Sequence, residues 1–183
     1  ENGAWIDVPG ELLFATLNRR LGDLPLIAED LGSMTPEVEH LRDKCGFPGM
    51  RILQYAFGGD AYNRDLPHNY IQNCISYTGT HDNDTSVGWF AAADEDARKH
   101  AEEYLHSTMT EPHWELIRAS LASVADVAII PAQDLLGLSS EHRMNTPATE
   151  SGNWEWRIGP DDLSSDIVER LRNLTESFGR LSV

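Results

Sequence analysis

The spacing of apolar residues predicts several amphipathic helices. Leu13, Leu17 and Leu21 recur every fourth residue, which predicts a helix over residues 11–21 that ends at Gly22. Further helices are predicted after Thr35-Pro36, after Asp94-Glu95-Asp96, after Pro112, and around Ile167, Leu171, Leu174 and Phe178.

Short apolar runs between these helices predict strands at residues 24–28, 50–57, 74–78 and 127–130, with loops at 58–69 and 131–160. Strands that alternate with helices indicate an α/β fold. The pattern corresponds to about half of an eight-stranded (β/α) barrel, and an independent four-stranded parallel sheet is the alternative.

Composition narrows the classes of partner. The chain of 183 residues has 30 Asp and Glu against 14 Lys and Arg, a formal net charge of −16. Binding nucleic acid or an anionic membrane requires clustered Lys and Arg, so both partners are excluded. With 40% hydrophobic residues, the chain has enough apolar surface for a globular core.

Two cysteines, Cys45 and Cys74, are too few for a disulfide framework and lie too far apart in sequence for a metal-binding pair. The first residues lack the features of a secretion signal, and no apolar run is long enough to span a bilayer. We therefore expect a cytoplasmic protein.

The chain does not begin with Met, so it is expected to be either a processed protein or a fragment.

Polar residues follow the predicted strands, at the edge where active sites of β/α proteins lie. The first group is Glu29-Asp30, which follows the strand at 24–28. Adjacent residues of a strand point in opposite directions, so one carboxylate can face the site while the other takes a structural role. A cap on a helix or a pair with Arg is an equally good explanation of either carboxylate.

The second group is Thr80-His81-Asp82-Asn83-Asp84-Thr85, which follows the strand at 74–78. Its dense set of donors and acceptors suits a polyhydroxyl ligand. A divalent metal site is the alternative, although the chain lacks a second cluster of ligands.

Aromatic residues near the other strand ends leave two interpretations open. Trp154 and Trp156 lie in the loop at 131–160, and Tyr55 lies near the end of the strand at 50–57. Each ring either provides a platform for a sugar or fills the core.

Glu29 and Asp82 lie on separate strand ends, and 53 residues separate them (82 − 29). Glycoside chemistry requires such a pair, one carboxylate to transfer a proton and one to stabilise an oxocarbenium-like sugar.

The chain resembles the amylomaltase family of 4-alpha-glucanotransferases, the disproportionating enzymes. The resemblance lies in the segments Leu24-Pro25-Leu26-Ile27-Ala28-Glu29-Asp30-Leu31-Gly32, Thr35-Pro36-Glu37-Val38, Phe47-Pro48-Gly49-Met50, Leu53-Gln54-Tyr55-Ala56-Phe57, Leu66-Pro67-His68-Asn69, Tyr77-Thr78-Gly79-Thr80-His81-Asp82-Asn83-Asp84-Thr85, Pro131-Ala132-Gln133-Asp134-Leu135-Leu136-Gly137, Asn145-Thr146-Pro147 and Gly152-Asn153-Trp154. They occur in the family's order and cover nearly the whole chain.

The resemblance implies a retaining, double-displacement transfer of α-1,4-glucan segments between maltooligosaccharides, with glucose as one acceptor and no cofactor. It implies that Glu29 is the general acid/base and that Asp82 stabilises the transition state. It also implies that His81, Tyr55 and Asn145 bind substrate, with Tyr55 on the acceptor side.

Two departures accompany the resemblance. The family's nucleophilic Asp lies in an Arg-Ile-Asp-His type motif that this chain lacks, so we expect it upstream of Glu1. Residues 1–183 would then form the C-terminal portion of the barrel, about strands five to eight, and would be inactive alone. In addition, Ala148 stands where the family usually has Gly.

Two other functions are alternatives. The first is a non-catalytic α-glucan-binding or assembly module that uses Tyr55, His81 and Trp154. The second is a metal-dependent hydrolase.

Overall fold

The computed structural model describes residues 6–32 and 34–181, which divide into two compact units, Glu1–Met50 and Arg51–Val183. The first five residues, where we expect no secretion signal, lie outside the described residues. Among the described residues, every helix is too short or too polar to cross a membrane.

The first unit contains helices α1 (Gly10–Leu21) and α2 (Pro36–Lys44). Both helices were predicted, α1 with its end at Gly22. Each is followed within two residues by a glycine in the left-handed region, since Gly22 and Gly46 have φ angles of 79° and 71°. The ring of Phe14 on α1 packs edge-on against Phe47, with ring centroids 5.0 Å apart.

The predicted buried strand at 24–28 is wrong. Only Ala28 pairs, through an isolated parallel bridge to Gly49, and the side chains of Leu26 and Ile27 are exposed. Pro25 lacks an amide hydrogen, and a strand forms only where a neighbouring backbone accepts its hydrogen bonds.

The second unit carries most of the sheet and the remaining helices. Its elements are the end of β1 (Gly49–Ile52), β2 (Cys74–Tyr77), α3 (Ser86–Ala92), α4 (Glu95–Leu105), α5 (Pro112–Ala122), β3 (Val127–Ile129), α6 (Ala132–Leu135) and α7 (Ser165–Ser177), with 3₁₀ turns at Leu53–Tyr55, Pro67–Asn69 and Ser140–His142.

The strands form one sheet in the order β1-β2-β3, which is also their order along the chain. Strands β2 and β3 pair in parallel, with Ile75 opposite Val127 and Tyr77 opposite Ile129. Helices α3, α4 and α5 connect these two strands. An α/β fold with a parallel sheet is therefore confirmed.

Strand β1 is shorter than the predicted strand at 50–57. The backbone N–H of Ile52 donates to Asp65 Oδ1 at 2.8 Å, and a 3₁₀ turn follows immediately. The apolar residues beyond this point serve the core, because Leu53 and Phe57 pack with Leu116 on α5. A buried apolar run was thus mistaken for a longer strand.

Helix α5 contributes side chains to two clusters of core residues. Leu116 and Ala119 face the cluster around Phe57, whereas Trp114, Ile117 and Leu121 face α7 and β3. The helical spacing of Trp114, Ile117, Leu121 and Val124 predicts one apolar stripe, and the first three form this second face, whereas Val124 lies beyond the end of the helix and is exposed.

Helix α3 was not predicted. Thr85 caps it, because its hydroxyl accepts from the N–H of Gly88 at 3.1 Å. The helix is short and directly follows the polar residues 80–85, so its sequence lacks a clear helical period.

Candidate functional site

One buried carboxylate holds both ends of the polar loop that follows β2. Asp134 Oδ2 accepts from the Thr78 hydroxyl at 2.5 Å, and Asp134 Oδ1 accepts from the N–H of Ser86 at 2.7 Å. Asp134 is 1% exposed, and burial raises the pKa of its carboxyl group, although the bonds from Ser86 and Thr78 oppose that shift. The loop between Thr78 and Ser86 is therefore fixed where it leaves β2 and where it enters α3.

Inside the loop, a local turn determines which side chains reach solvent. Asn83 Oδ1 accepts from both the N–H and the hydroxyl of Thr80, at 2.9 and 2.8 Å. This closed turn presents His81 and Asp82 at its tip, where each side chain is 50% exposed.

Asp82 meets Asn145 from the long loop that follows β3. The Asn145 amide donates to Asp82 Oδ1 at 2.6 Å, and His81 Nε2 lies 3.4 Å from the same oxygen. The structure thus brings together three residues that the sequence singled out, from two segments of chain far apart in sequence.

Trp154 completes this cluster. Its ring packs against His81, with centroids 5.0 Å apart and an interplanar angle of 39°. Trp154 is 54% exposed, so the interpretation as a core residue is wrong for this ring, and its role as a platform for a sugar stays a prediction. The backbone N–H of Trp154 donates to the carbonyl of Met144 at 2.7 Å, which places this residue beside the segment that carries Asn145.

Arg143 was missed by the sequence analysis. Its Nη2 donates to the main-chain oxygen of Asp82 at 2.9 Å, and its Nε donates to that of Asn145 at 3.3 Å. A single Arg within a loop carries no local signal. Its position two residues before Asn145 was the only indication available.

The two adjacent carboxylates of the first unit, Glu29 and Asp30, have different surroundings. Asp30 is 4% exposed; its Oδ1 accepts from the N–H of Met50 at 2.7 Å, and its Oδ2 accepts from Arg42 at 2.5 Å. Asp30 is therefore the structural member of the pair. Glu29 beside it is exposed and stays a candidate for chemistry.

Tyr55 ends the 3₁₀ turn after β1, and its side chain is 48% exposed. The amide of Asn63 donates to its main-chain oxygen at 2.7 Å. Within residues 6–32 and 34–181, Tyr55 makes no hydrogen bond or ring contact with His81, Asp82 or Asn145. Its expected role on the acceptor side stays a prediction.

The cluster of His81, Asp82, Asn145 and Trp154 combines an exposed carboxylate, an amide, an imidazole and an indole face. The carboxylate can accept from vicinal hydroxyls, the amide and imidazole supply further polar atoms, and the indole can stack on a pyranose ring. Over the part of the chain that the structure describes, no group of three His, Cys, Asp or Glu residues is arranged to hold a metal ion.

Comparisons with known proteins identify the family. The family model for 4-alpha-glucanotransferases matches residues 1–162. The 4-alpha-glucanotransferase of Synechocystis sp. is 51% identical over 183 residues, which cover 98% of this chain and 36% of that enzyme. The enzyme of Thermus thermophilus is 45% identical over 187 residues, with 98% and 37% covered.

A solved structure agrees with the sequence matches. The amylomaltase from Streptococcus agalactiae in complex with acarbose superposes with a TM-score of 0.91 at 39% identity, over 98% of this chain and 37% of that one. The chain thus spans about a third of the length of the relatives that it matches. On these grounds, the chain belongs to the 4-alpha-glucanotransferase family.

Proposed function

We propose that residues 1–183 form the C-terminal portion, about strands five to eight, of the (β/α)8 barrel of a 4-alpha-glucanotransferase. The parent protein, meaning the longer polypeptide that would contain this chain, transfers α-1,4-glucan segments between maltooligosaccharides. Glucose is one acceptor, and the mechanism is a retaining double displacement.

The sheet supports the proposed architecture. Strands β1, β2 and β3 lie side by side in chain order, and helices connect the parallel pair β2 and β3, as in a β/α unit of a barrel. Strand β3 is the last strand in this order, and its residues Val127 and Ile129 are 44% and 40% exposed. Apolar side chains in this position fit a strand that the rest of a barrel covers.

The observation that carries the function is the contact of Asp82 with Asn145 beside the His81–Trp154 pair. In the proposed mechanism, the Asp82 carboxylate accepts from ring hydroxyls of the transferred glucose and favours its oxocarbenium-like transition state. Asn145 and His81 bind the same sugar, and Trp154 packs against it.

Glu29 takes the role of general acid/base. Its carboxyl group protonates the leaving glycosidic oxygen and then accepts the proton of the acceptor's 4-hydroxyl. The buried Asp30, bonded to Arg42 and to Met50, fixes the backbone next to it. The nucleophile belongs to the part of the parent protein that precedes this chain, and Tyr55 contacts the acceptor.

Both cysteines are free thiols in the structure, which fits the further proposal that the parent protein is cytoplasmic.

Maltotriose disproportionation tests the proposed function. The parent protein should convert maltotriose to glucose and longer maltooligosaccharides, whereas the 183-residue chain alone should produce neither. A parent protein that is inert towards maltotriose, or an isolated chain as fast as the parent, would refute the proposal.

The acid/base assignment has its own test. Glu29→Gln in the parent protein should abolish measurable transfer, because Gln cannot donate and accept the proton. The exposed Glu102→Gln on α4 serves as the matched control and should retain full activity.

The exposed ring of Trp154 also favours a second candidate function, a non-catalytic α-glucan-binding module. It predicts that maltoheptaose changes the tryptophan fluorescence of the chain without being consumed, and that Trp154→Ala removes this change. Binding of this kind by a parent protein that never turns substrate over would favour this candidate over the transferase.

A further inference from the structure

We propose that Arg143 is a positioning residue, which sets the main chains that carry Asp82 and Asn145 so that the two side chains meet. The inference rests on the proposed function, because it assigns Arg143 to that same site. Arg143 acts through the two residues and does not itself contact the reacting sugar.

The guanidinium of Arg143 joins two segments that only the fold brings together. One of its nitrogens donates to the carbonyl of Asp82 at 2.9 Å, and another donates to the carbonyl of Asn145 at 3.3 Å. Both bonds go to main-chain oxygens, so they fix backbone positions and leave the carboxylate of Asp82 available. The 2.6 Å bond between the Asn145 amide and Asp82 Oδ1 then forms between backbones that are already in place.

The carboxylate of Asp84 lies near the same guanidinium. Arg143 Nη1 lies 3.9 Å from Asp84 Oδ2, and the hydroxyl of Ser140 donates to that same oxygen at 2.8 Å. The amide of Gln54 donates to the main-chain oxygen of Asp84, also at 2.8 Å. The Arg143 side chain is only 22% exposed, in contrast to an ordinary surface arginine.

The geometry requires arginine and not simply a positive charge. A guanidinium is planar and presents several N–H groups in fixed directions, so it can donate to two carbonyls and face a carboxylate at once. The ammonium of lysine is a point donor on a flexible stem and cannot reproduce this arrangement. Lysine should therefore preserve the charge beside Asp84 while losing at least one of the two carbonyl bonds.

The test compares variants of the parent protein in maltotriose disproportionation. Arg143→Ala should lower kcat by up to about 100-fold with a smaller change in KM, because displaced catalytic groups chiefly affect the transition state. Arg143→Lys should fall between Arg143→Ala and the wild type. The control is Arg172→Ala on α7, an exposed arginine that should leave kcat unchanged.

Chemical rescue separates positioning from general stability. Guanidinium ion added at millimolar concentration should restore part of the kcat of Arg143→Ala, and it should not raise the kcat of the wild type or of Arg172→Ala. A stability defect alone predicts no such gain, since guanidinium weakens folded structure.

The outcomes distinguish the two proposals. A wild-type parent without transferase activity would overturn the proposed function and this inference with it. An active wild type whose Arg143→Ala variant keeps its kcat, or is not rescued by guanidinium, would overturn the inference alone. If Arg143→Ala does not fold, Arg143→Lys decides, and a kcat equal to that of the wild type would overturn the inference.

Discussion

At the scale of single residues, hydrogen bonds from two neighbouring residues hold Asp82 in position. The amide of Asn145 donates to its carboxylate, while Arg143 donates to its carbonyl, so side chain and main chain are fixed separately. The catalytic role proposed for Asp82 depends on this separation, because the carboxylate must be positioned and still accessible to a ligand.

Substitution of Asn145 tests the contact directly. Asn145→Ala removes one charge-assisted hydrogen bond and should lower kcat/KM of the parent protein by about 10- to 100-fold. Asn145→Asp should lower it further, because a second carboxylate would repel that of Asp82. Steady-state kinetics with maltotriose measures both, and an aspartate variant as active as the alanine variant would contradict the assignment.

Ala148 is a residue whose backbone conformation is unfavourable. Its φ angle is 63°, a left-handed value that glycine adopts freely and alanine does not. Ala148→Gly should therefore raise the free energy of unfolding by about 0.5–1 kcal/mol, as measured by urea denaturation.

A glycine placed in a normal helix provides the control for that experiment. Ala91→Gly within α3 should lower the free energy of unfolding by about 1 kcal/mol. If both substitutions destabilise the protein equally, the strain attributed to Ala148 is absent.

At the scale of elements, the loop between β2 and α3 shows what a sequence reveals and what it does not. Residues 80–85 were recognised as a polar cluster from their composition alone. The hydrogen bonds of Asp134 to Thr78 and Ser86, which together form a clamp on the loop, were not recognised, because Asp134 lies on α6 and these bonds exist only in the folded chain.

The same distinction explains which elements were predicted correctly. Helices α1, α2, α4, α5 and α7 have local causes, namely apolar spacing, caps and terminal glycines, so their sequences were sufficient. Strands require partners. The run at 24–28 is as apolar as β2, yet only Ala28 of that run pairs. No pattern within the run distinguishes the two cases.

The clamp predicts a particular dependence of stability on pH. Burial raises the pKa of Asp134 in the folded protein above the ordinary value of 3.8. Below pH 3.8, the Asp134 carboxyl group is protonated in both the folded and the unfolded state. As pH rises from 3.8 through the raised pKa, ionisation costs free energy in the folded state, because the charge is buried there. The contribution of Asp134 to the free energy of unfolding should therefore fall as pH rises across this window.

Asp134→Asn removes this titration and preserves the shape of the clamp. The asparagine oxygen can accept from the N–H of Ser86 while its amide donates to the Thr78 hydroxyl. Measured by urea denaturation from pH 3.8 to neutrality, the stability of the variant relative to the wild type should rise with pH. A constant or falling difference would contradict the account.

At the scale of the whole molecule, the net charge of the chain and its length relative to its relatives both bear on the proposed function. A net charge of −16 repels anionic polymers but does not oppose the approach of a neutral glucan. The chain covers 36% of its Synechocystis relative. The exposed side chains of Val127 and Ile129 fit the proposed parent, in which further strands would cover β3.

The kcat of Asp82→Asn in the parent protein tests the central claim most directly. Asparagine preserves the size of the side chain but removes the charge that would stabilise the transition state, so kcat for maltotriose disproportionation should fall by about 100-fold or more. The exposed Asp161→Asn, which removes one negative charge elsewhere, should leave kcat unchanged. An Asp82→Asn variant with the kcat of the wild type would show that this cluster is not the catalytic site.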